Sequence, residues 1–281
     1  MILVTGATGN IGSALLQELR AFGVGPLRGL TRDPARAGFP EGVEAIGGDL
    51  TRTASLKPAL DGVRSLFLVS RMGSDAEIIE AARTAGVEHV VLVSSITVQT
   101  HPHLGPAREN LSVERLLKGS GMTWTILRPT QFASNALWWA KAIRERQAVR
   151  VPYADVGLPT IHPADIASVA RAALTESGHR ARTYALTGPE RITARQQAGT
   201  IAAVLGREVP FTEIGRREAR RQMAAFLGDE AADAVLDLTG GDVNDELLKV
   251  RDTVSRIIGA PARTFRRWAA ENTAAFRRAG G

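Results

Sequence analysis

The sequence predicts an α/β protein built on a doubly wound parallel sheet, and three observations carry that expectation. The chain opens Met1-Ile-Leu-Val-Thr-Gly-Ala-Thr-Gly-Asn-Ile-Gly12, a short apolar run followed by glycines at positions 6, 9 and 12. Directly behind them, Ile11, Ala14, Leu15 and Leu19 recur at the spacing of one helix face. From there to about residue 130, apolar runs of strand length alternate with helical patterns, and this βαβ alternation requires parallel strands with crossover helices. A chain of 281 residues suits one large domain of this kind with a small appended lobe.

The opening element is a strand, a glycine-rich turn and a helix, the order of a dinucleotide-binding unit. Gly6 lets the chain turn sharply, Gly9 lets backbone amides approach a pyrophosphate, and Gly12 lets the helix lie close to the sheet. The helix N-terminus adds unpaired amides and a positive dipole end, so Gly6, Thr8, Gly9, Asn10, Ile11 and Gly12 are the expected phosphate-binding residues. A tight glycine turn without a ligand is the alternative.

Residues 26–31 read as the second strand, ending in Thr31-Arg32-Asp33-Pro34. In dinucleotide folds the end of this strand faces the adenosine ribose. An acidic residue there binds the ribose hydroxyls, whereas an arginine pairs with a 2′-phosphate. Arg32 therefore favours NADP(H) over NAD(H), a surface arginine being the alternative, and Asp33-Pro34 begins the next turn. Residues 43–46 form a third strand, followed by Gly47-Gly48-Asp49-Leu50, and residues 55–60 a short helix. Residues 63–69 form a continuous apolar strand, buried on both faces, whose end brings Val69, Ser70 and Arg71 to the carboxyl edge where ligands bind. A helix over 75–85 closes at Gly86, a fifth strand spans 89–93 with Ser94 and Ser95 at its tip, and residues 124–128 form a sixth.

Beyond it, Phe132 and Asn135 lead into a helix with Trp138 and Trp139, which read as packing or subunit-contact residues. Short extended segments follow at 148–152, 183–186 and 208–214. Asp165 is placed to cap a helix bearing Ile166, Val169 and Leu174, with His162 structural. Thr193 caps a helix over 194–205 that Gly206 stops. Helices at 216–227, 231–238 and from about 264 complete a mostly helical C-terminal substrate lobe. The expected division is a nucleotide-binding domain over 1–153 and a lobe over 154–281, with the segment 160–186 returning to the first domain.

Composition narrows the function classes. The chain is 44% hydrophobic and has no apolar run long enough to span a membrane. It has no cysteine, which rules out disulfides and thiolate metal sites and fits a cytoplasmic protein. The first strand starts at Met1, leaving no room for a signal peptide. The net charge of +6 is compatible with an acidic ligand, a nucleic acid or an arginine-rich surface. Arginines cluster at 216, 217, 220 and 221 and at 263, 266, 267, 277 and 278, without a nucleic-acid-reading motif beside them. A solvated face is the simpler account, and nothing fixes the oligomeric state beyond leaving a homodimer open.

The string TGATGNIG resembles the opening of the atypical short-chain dehydrogenase/reductases, and most of all their NmrA-like group, which includes NADPH-dependent quinone reductases and NADP-sensing regulators. The resemblance continues in Leu30-Thr31-Arg32-Asp33-Pro34, which is similar to that group's arginine-bearing segment, and in residues 161–167, which are similar to a segment packing the small lobe on the large one. It implies a Rossmann-type fold, Asp49 and Leu50 against the adenine, and Pro129 beside the nicotinamide, with Ser94 also at the cofactor. It also implies a catalytic serine at the tip of the fifth strand, matched by Ser95.

The tyrosine and lysine that complete a standard site of this superfamily do not survive. Asn110 stands at the tyrosine position and Glu114 at the lysine position, and the two tyrosines, Tyr153 and Tyr184, lie outside any Tyr-x-x-x-Lys frame. Asparagine donates a hydrogen bond but gives up no proton near neutral pH. Simple ketone reduction makes an alkoxide and needs a proton donor, whereas a quinone yields a resonance-stabilised anion that a weak donor can serve. Ser95, Asn110 and His101 are therefore the candidate catalytic residues, and His103, Gln131, Phe132 and Asn135 the candidate substrate contacts. The two histidines, in a His-Pro-His loop, can serve as acid or oxygen-polarising groups, or can be an ordinary exposed loop. They make a poor metal pair, and no metal is expected. The expectation is an NADPH-dependent oxidoreductase acting on a quinone or a related conjugated carbonyl. An NADP sensor without turnover and a tailoring enzyme for an aromatic polyketide are the alternatives.

Overall fold

The computed structural model describes residues 1–277. Arg278 of the second basic cluster lies outside the described residues. The main sheet has seven parallel strands in the order β3-β2-β1-β4-β5-β6-β8. They are β1 (Ile2–Val4), β2 (Leu27–Thr31), β3 (Val43–Gly47), β4 (Ser65–Val69), β5 (His89–Val93), β6 (Thr123–Pro129) and β8 (Arg182–Leu186). The strand order runs outward in both directions from β1, so the crevice between β1 and β4 at their carboxyl ends is the switch point where such sheets bind ligands.

Side-chain alternation along the strands splits the core into two layers. Leu3, Leu66, Leu68, Val90, Leu92 and Ile126 face one side. There they meet the short helix α2 (Lys57–Leu60) and helix α3 (Asp75–Thr84). Beyond the one-turn helix α4 (Thr97–Thr100), helix α5 (Gly105–Gly119) adds Val113 and Leu117 to the same layer. Val4, Phe67, Val91, Val93 and Leu127 face the other side. There they meet Leu15, Leu16 and Leu19 of α1 (Asn10–Ala21). After α6 (Ala140–Arg144), helix α7 (Pro163–Thr175) covers this second face with Ile166, Val169 and Ala170.

The sixth strand leads into a 3-10 stretch, Ala133–Trp139, and then α6, rather than one continuous helix. Beyond them β7 (Val149–Val151) pairs in parallel with β9 (Phe211–Glu213), a two-stranded sheet separate from the first. The lobe adds α8 (Ala194–Leu205), α9 (Arg216–Leu227), α10 (Asp229–Leu236), α11 (Asp245–Leu248), α12 (Thr253–Ile258), α13 (Phe265–Glu271) and α14 (Thr273–Phe276). Its core gathers Ile143, Val149, Ile201, Val209, Phe265, Trp268 and Phe276.

Thr193 forms a reciprocal capping box with Gln196, and Gly206 ends α8 in the left-handed conformation at φ 65°. The extended segment expected over 208–214 is a strand only at 211–213, where it pairs in register with β7, while Pro210 and Ile214 bond β7 from just outside it. The helix expected over 231–238 begins at Asp229 and unwinds into a wide turn over Asp237–Gly241. Asp165 is not the cap of α7. The capping atom is His162 Nδ1, which accepts the Ala164 amide at 3.0 Å. Asp165, fully buried one turn in, instead accepts the Arg263 amide and guanidinium at 2.7 and 2.5 Å.

Candidate active site

The glycine turn has the geometry a pyrophosphate needs. Gly6 takes a positive φ of 58°, which a side-chain-bearing residue rarely adopts, and accepts the Gly9 amide at 2.9 Å. A Cβ on Gly12 would lie 2.2 Å from Gly6 O, so this position has no room for any side chain. Gly9 caps α1 through its backbone alone. The amides of Asn10, Ile11 and Gly12 thus form the open N-terminal turn of a helix at the switch point. The Ile11 side chain is buried in the core, so it has only its amide to offer a phosphate. Thr8 is exposed above the turn, and Val69 lies under it, its Cγ2 3.8 Å from the position of a Cβ on Gly6.

Beside the turn is a cavity of about 240 Å³ lined by Gly6, Thr8, Arg32, Asp49, Leu50 and Met72, among others. Residues from the ends of β1, β2 and β3 therefore meet around one space. A Cβ on Gly48 would lie 2.6 Å from Leu30 Cδ1, so a side chain there would have to displace Leu30 in this wall. The Asp49 carboxylate accepts from Thr51 N and Oγ1 at 3.0 and 2.7 Å. Those hydrogen bonds, with the charges of Arg52 and Arg32, hold its pKa below the usual carboxylate range. Met72, half exposed just past β4, also lines the cavity, at the carboxyl edge of the sheet.

Between the nucleotide cavity and the lobe lies the region where the standard superfamily site would stand. Glu114 is fully buried there. Arg128 binds it through Nε and Nη2 at 2.9 and 2.6 Å, and Ser94 Oγ donates to it at 2.7 Å. The expected cofactor contact Ser94 thus directs its hydroxyl into an internal ion pair. Asn110 is equally committed, its Oδ1 2.7 Å from Ser70 Oγ and its Nδ2 donating to Pro106 O at 3.0 Å. Arg71 sits at φ 64° with its guanidinium 2.6 Å from Glu109. Ser95 accepts from Thr97 N and Oγ1 at 3.2 and 2.9 Å, which leaves its own proton to give. Next to Pro129, Thr130 Oγ1 is buried without a hydrogen-bond partner among the described residues. The orphaned hydroxyl beside that proline, together with the glycine cradle, fits a nicotinamide nucleotide.

The histidines have a different place from the one expected. His101 is fully buried, with Nδ1 2.9 Å from Thr100 Oγ1 and Nε2 2.5 Å from Asp242 O. Asn244 Nδ2 donates to Thr100 O at 2.9 Å in the same contact. His103 is mostly exposed, with Nε2 3.5 Å from Asp242 Oδ2. Together they fasten the lobe to the sheet and are absent from the wall of the chamber described next.

That chamber, about 270 Å³, continues from the end of β6 into the lobe. Its inner wall includes Gln131, Phe132 and Asn135, three of the expected substrate contacts. Trp138, Trp139, Tyr153, Leu158, Thr160, Met223 and Leu238 also line it. The two tryptophans are therefore chamber residues and not packing alone. Trp138 is 56% exposed and meets the exposed ring of Phe226 edge-on, with centroids 6.4 Å apart. Among the described residues no Asp, Glu, His, Lys or Arg lines this chamber.

The NAD(P)H-binding family matches residues 6–177. The (4-alkanoyl-5-oxo-2,5-dihydrofuran-3-yl)methyl phosphate reductase of Streptomyces griseus subsp. griseus is 39% identical over 98% of this chain and 99% of its own. The NAD(P)H azoreductase of Xenophilus azovorans is 35% identical over 98% and 99%. Among solved structures, the NADPH-dependent quinone oxidoreductase QOR2 of Escherichia coli, complexed with NADPH, superposes with a TM-score of 0.79 at 28% identity, covering 96% of this chain and 99% of that one. With the glycine cradle and the NmrA-like arrangement around it, these likenesses show that the chain belongs to the NAD(P)H-binding family, within the atypical short-chain dehydrogenase/reductases, and is an NAD(P)H-dependent oxidoreductase.

Proposed function

We propose that the protein uses NADPH to reduce a neutral, planar conjugated acceptor, a quinone or a related conjugated carbonyl. The observation that carries this is the uncharged, aromatic-walled chamber continuing from the end of β6. Four arginines of the lobe are held in ion pairs. Arg150 pairs with Glu218, Arg195 with Asp155, Arg216 with Asp237 and Arg220 with Asp233. An acceptor bearing a phosphate, as the Streptomyces griseus relative's name describes, finds no cation among the described residues of this wall. Arg32 on the nucleotide cavity supports NADPH over NADH, because its guanidinium suits a 2′-phosphate.

Bound NADPH supplies two electrons and one hydrogen as hydride. The chain's own residues do the rest. The glycine turn grips the diphosphate, Thr130 and Pro129 set the nicotinamide edge, and Ser95 donates a hydrogen bond to the acceptor oxygen. Quinones, azo compounds and doubly activated enones all give delocalised anions on two-electron reduction. This is the common chemistry of the relatives' named substrates, and it tolerates a site whose tyrosine and lysine positions hold Asn110 and Glu114. Among the described residues no helix is long and apolar enough to cross a membrane, and a cytoplasmic setting fits a small-molecule reductase of this kind.

The test is NADPH oxidation against benzoquinones, naphthoquinones, azo dyes and unsaturated lactones with and without a phosphate. Turnover of neutral quinones is the expected result. Exclusive turnover of the phosphorylated lactone would overturn the substrate class. Tight NADPH binding without turnover of any acceptor would favour the NADP sensor.

A further inference from the structure

Among the described residues, Tyr153 is the one side chain on the chamber wall with a titratable proton. Its placement is over-determined. It sits at φ 53°, in the left-handed region that a bulky residue seldom occupies. Its carbonyl accepts the Val156 amide at 3.2 Å, closing a tight turn after β7. Gly240 lies so close to the ring that a Cβ there would be 2.2 Å from Tyr153 Cγ. Arg216 Nη1 donates to the phenol oxygen at 3.2 Å, and Arg216 is itself held by Asp237 Oδ1 at 2.8 Å. The phenol oxygen therefore accepts from a cation and keeps its own proton free to donate.

Resting on the substrate reading above, we propose that Tyr153 is the proton donor to the reduced acceptor, with Arg216 as its positioning residue. It replaces, from the opposite wall, the tyrosine missing from α5. When hydride adds to the conjugated acceptor, the electron pair moves to the acceptor oxygen. The Tyr153 O–H bond breaks and an O–H bond forms on the product. The phenolate left behind is stabilised by the Arg216 hydrogen bond and regains a proton from water at the partly exposed guanidinium. The balance is acceptor plus NADPH plus one proton, giving reduced acceptor plus NADP⁺.

The experiment compares wild type, Tyr153→Phe and Arg216→Gln across quinones whose hydroquinones span a range of pKa, with NADPH affinity measured for each protein. Phe retains the ring that packs on Gly240, so Tyr153→Phe is expected to fold and to bind NADPH as the wild type does. Its kcat should fall about tenfold to a hundredfold. The deficit should grow as the hydroquinone becomes more basic, while KM changes little. Arg216→Gln should lower kcat with KM little changed, and Arg216→Lys, which restores a cation beside the phenol, should recover part of the loss. Wild-type turnover with Tyr153→Phe equal to it across the series would overturn the assignment of the donor and leave the substrate class standing. An equal loss on every quinone, accompanied by a higher KM, would show a packing role and also overturn it. A wild type inactive on every quinone would remove the substrate class, and this proposal with it.

Discussion

Arg32 illustrates what a single side chain decides. It lines the nucleotide cavity with Asp49, whose carboxylate is held ionised by Thr51 and by nearby arginine charge. Arg32→Ala is expected to weaken NADPH binding at least tenfold and to leave NADH nearly unchanged, because only the former carries the 2′-phosphate. Calorimetric titration of both coenzymes checks this, and an unaltered ratio of affinities would dismiss the assignment. The place of Arg32 on the nucleotide cavity was legible in the sequence because it is set locally: it follows a strand by one residue. Tyr153 was not legible. Its role depends on Arg216 and Gly240, each more than sixty residues away, and on a positive φ that no tyrosine advertises. The histidines misled for the converse reason. A His-Pro-His loop near the fifth strand suggests chemistry, but residues 242–244 of the lobe cover it, and that packing cannot be seen locally.

Among the elements, β5 was read with both ends correct because all five residues are buried and the run is continuously apolar after His89. The exception, His89, has a consequence for pH. Its Nε2 lies 3.1 Å from Thr125 Oγ1 on the neighbouring strand, with the residue 1% exposed. Burial, assisted by the charge of Arg180, pushes its pKa down to about 4. The unfolded chain, with an ordinary histidine pKa near 6.5, binds a proton that the folded chain refuses between those values. Stability therefore declines as pH falls from about 6.5 to 4, by roughly 3 kcal/mol from this group, and its contribution is flat outside that window. Urea unfolding at pH 7.5 and 4.5 should show the decline, and His89→Gln should remove most of it. Wild type and variant sharing one slope would contradict the account. The helices of the lobe were harder to bound than this strand. The segment after Leu236 unwinds into a wide turn that brings Gly240 onto Tyr153, a long-range fit that overrides helical periodicity.

At the scale of the whole molecule, the parallel sheet and the glycine turn were readable because both rest on short-range pattern, hydrophobic period and turn chemistry. The attachment of the lobe was not, because it rests on pairs about 100 to 140 residues apart. Asp165 at the start of α7 is fully buried against Arg263, and burial raises its pKa despite that cation. Beside it His162 Nε2 meets Glu271 Oε2 at 3.0 Å, so α7 ties two points of the C-terminal segment to the sheet. Removing Arg263 would strand a buried carboxylate. Arg263→Ala is expected to cost about 3–5 kcal/mol in urea unfolding, and Asp165→Asn on the same background should recover part of it. A change below about 1 kcal/mol would argue that the pair is replaceable by water.

The buried imidazole of His101 on the Asp242 carbonyl fastens the lobe at yet another point. A lobe tied at several separate points resists swinging like a clamshell. On the chamber wall itself Trp138 meets Phe226 at the surface, and two exposed rings part within nanoseconds. Loading and unloading would then be quick beside the chemistry, so the pace of each cycle would be set by the acceptor's own reactivity rather than by any hinge.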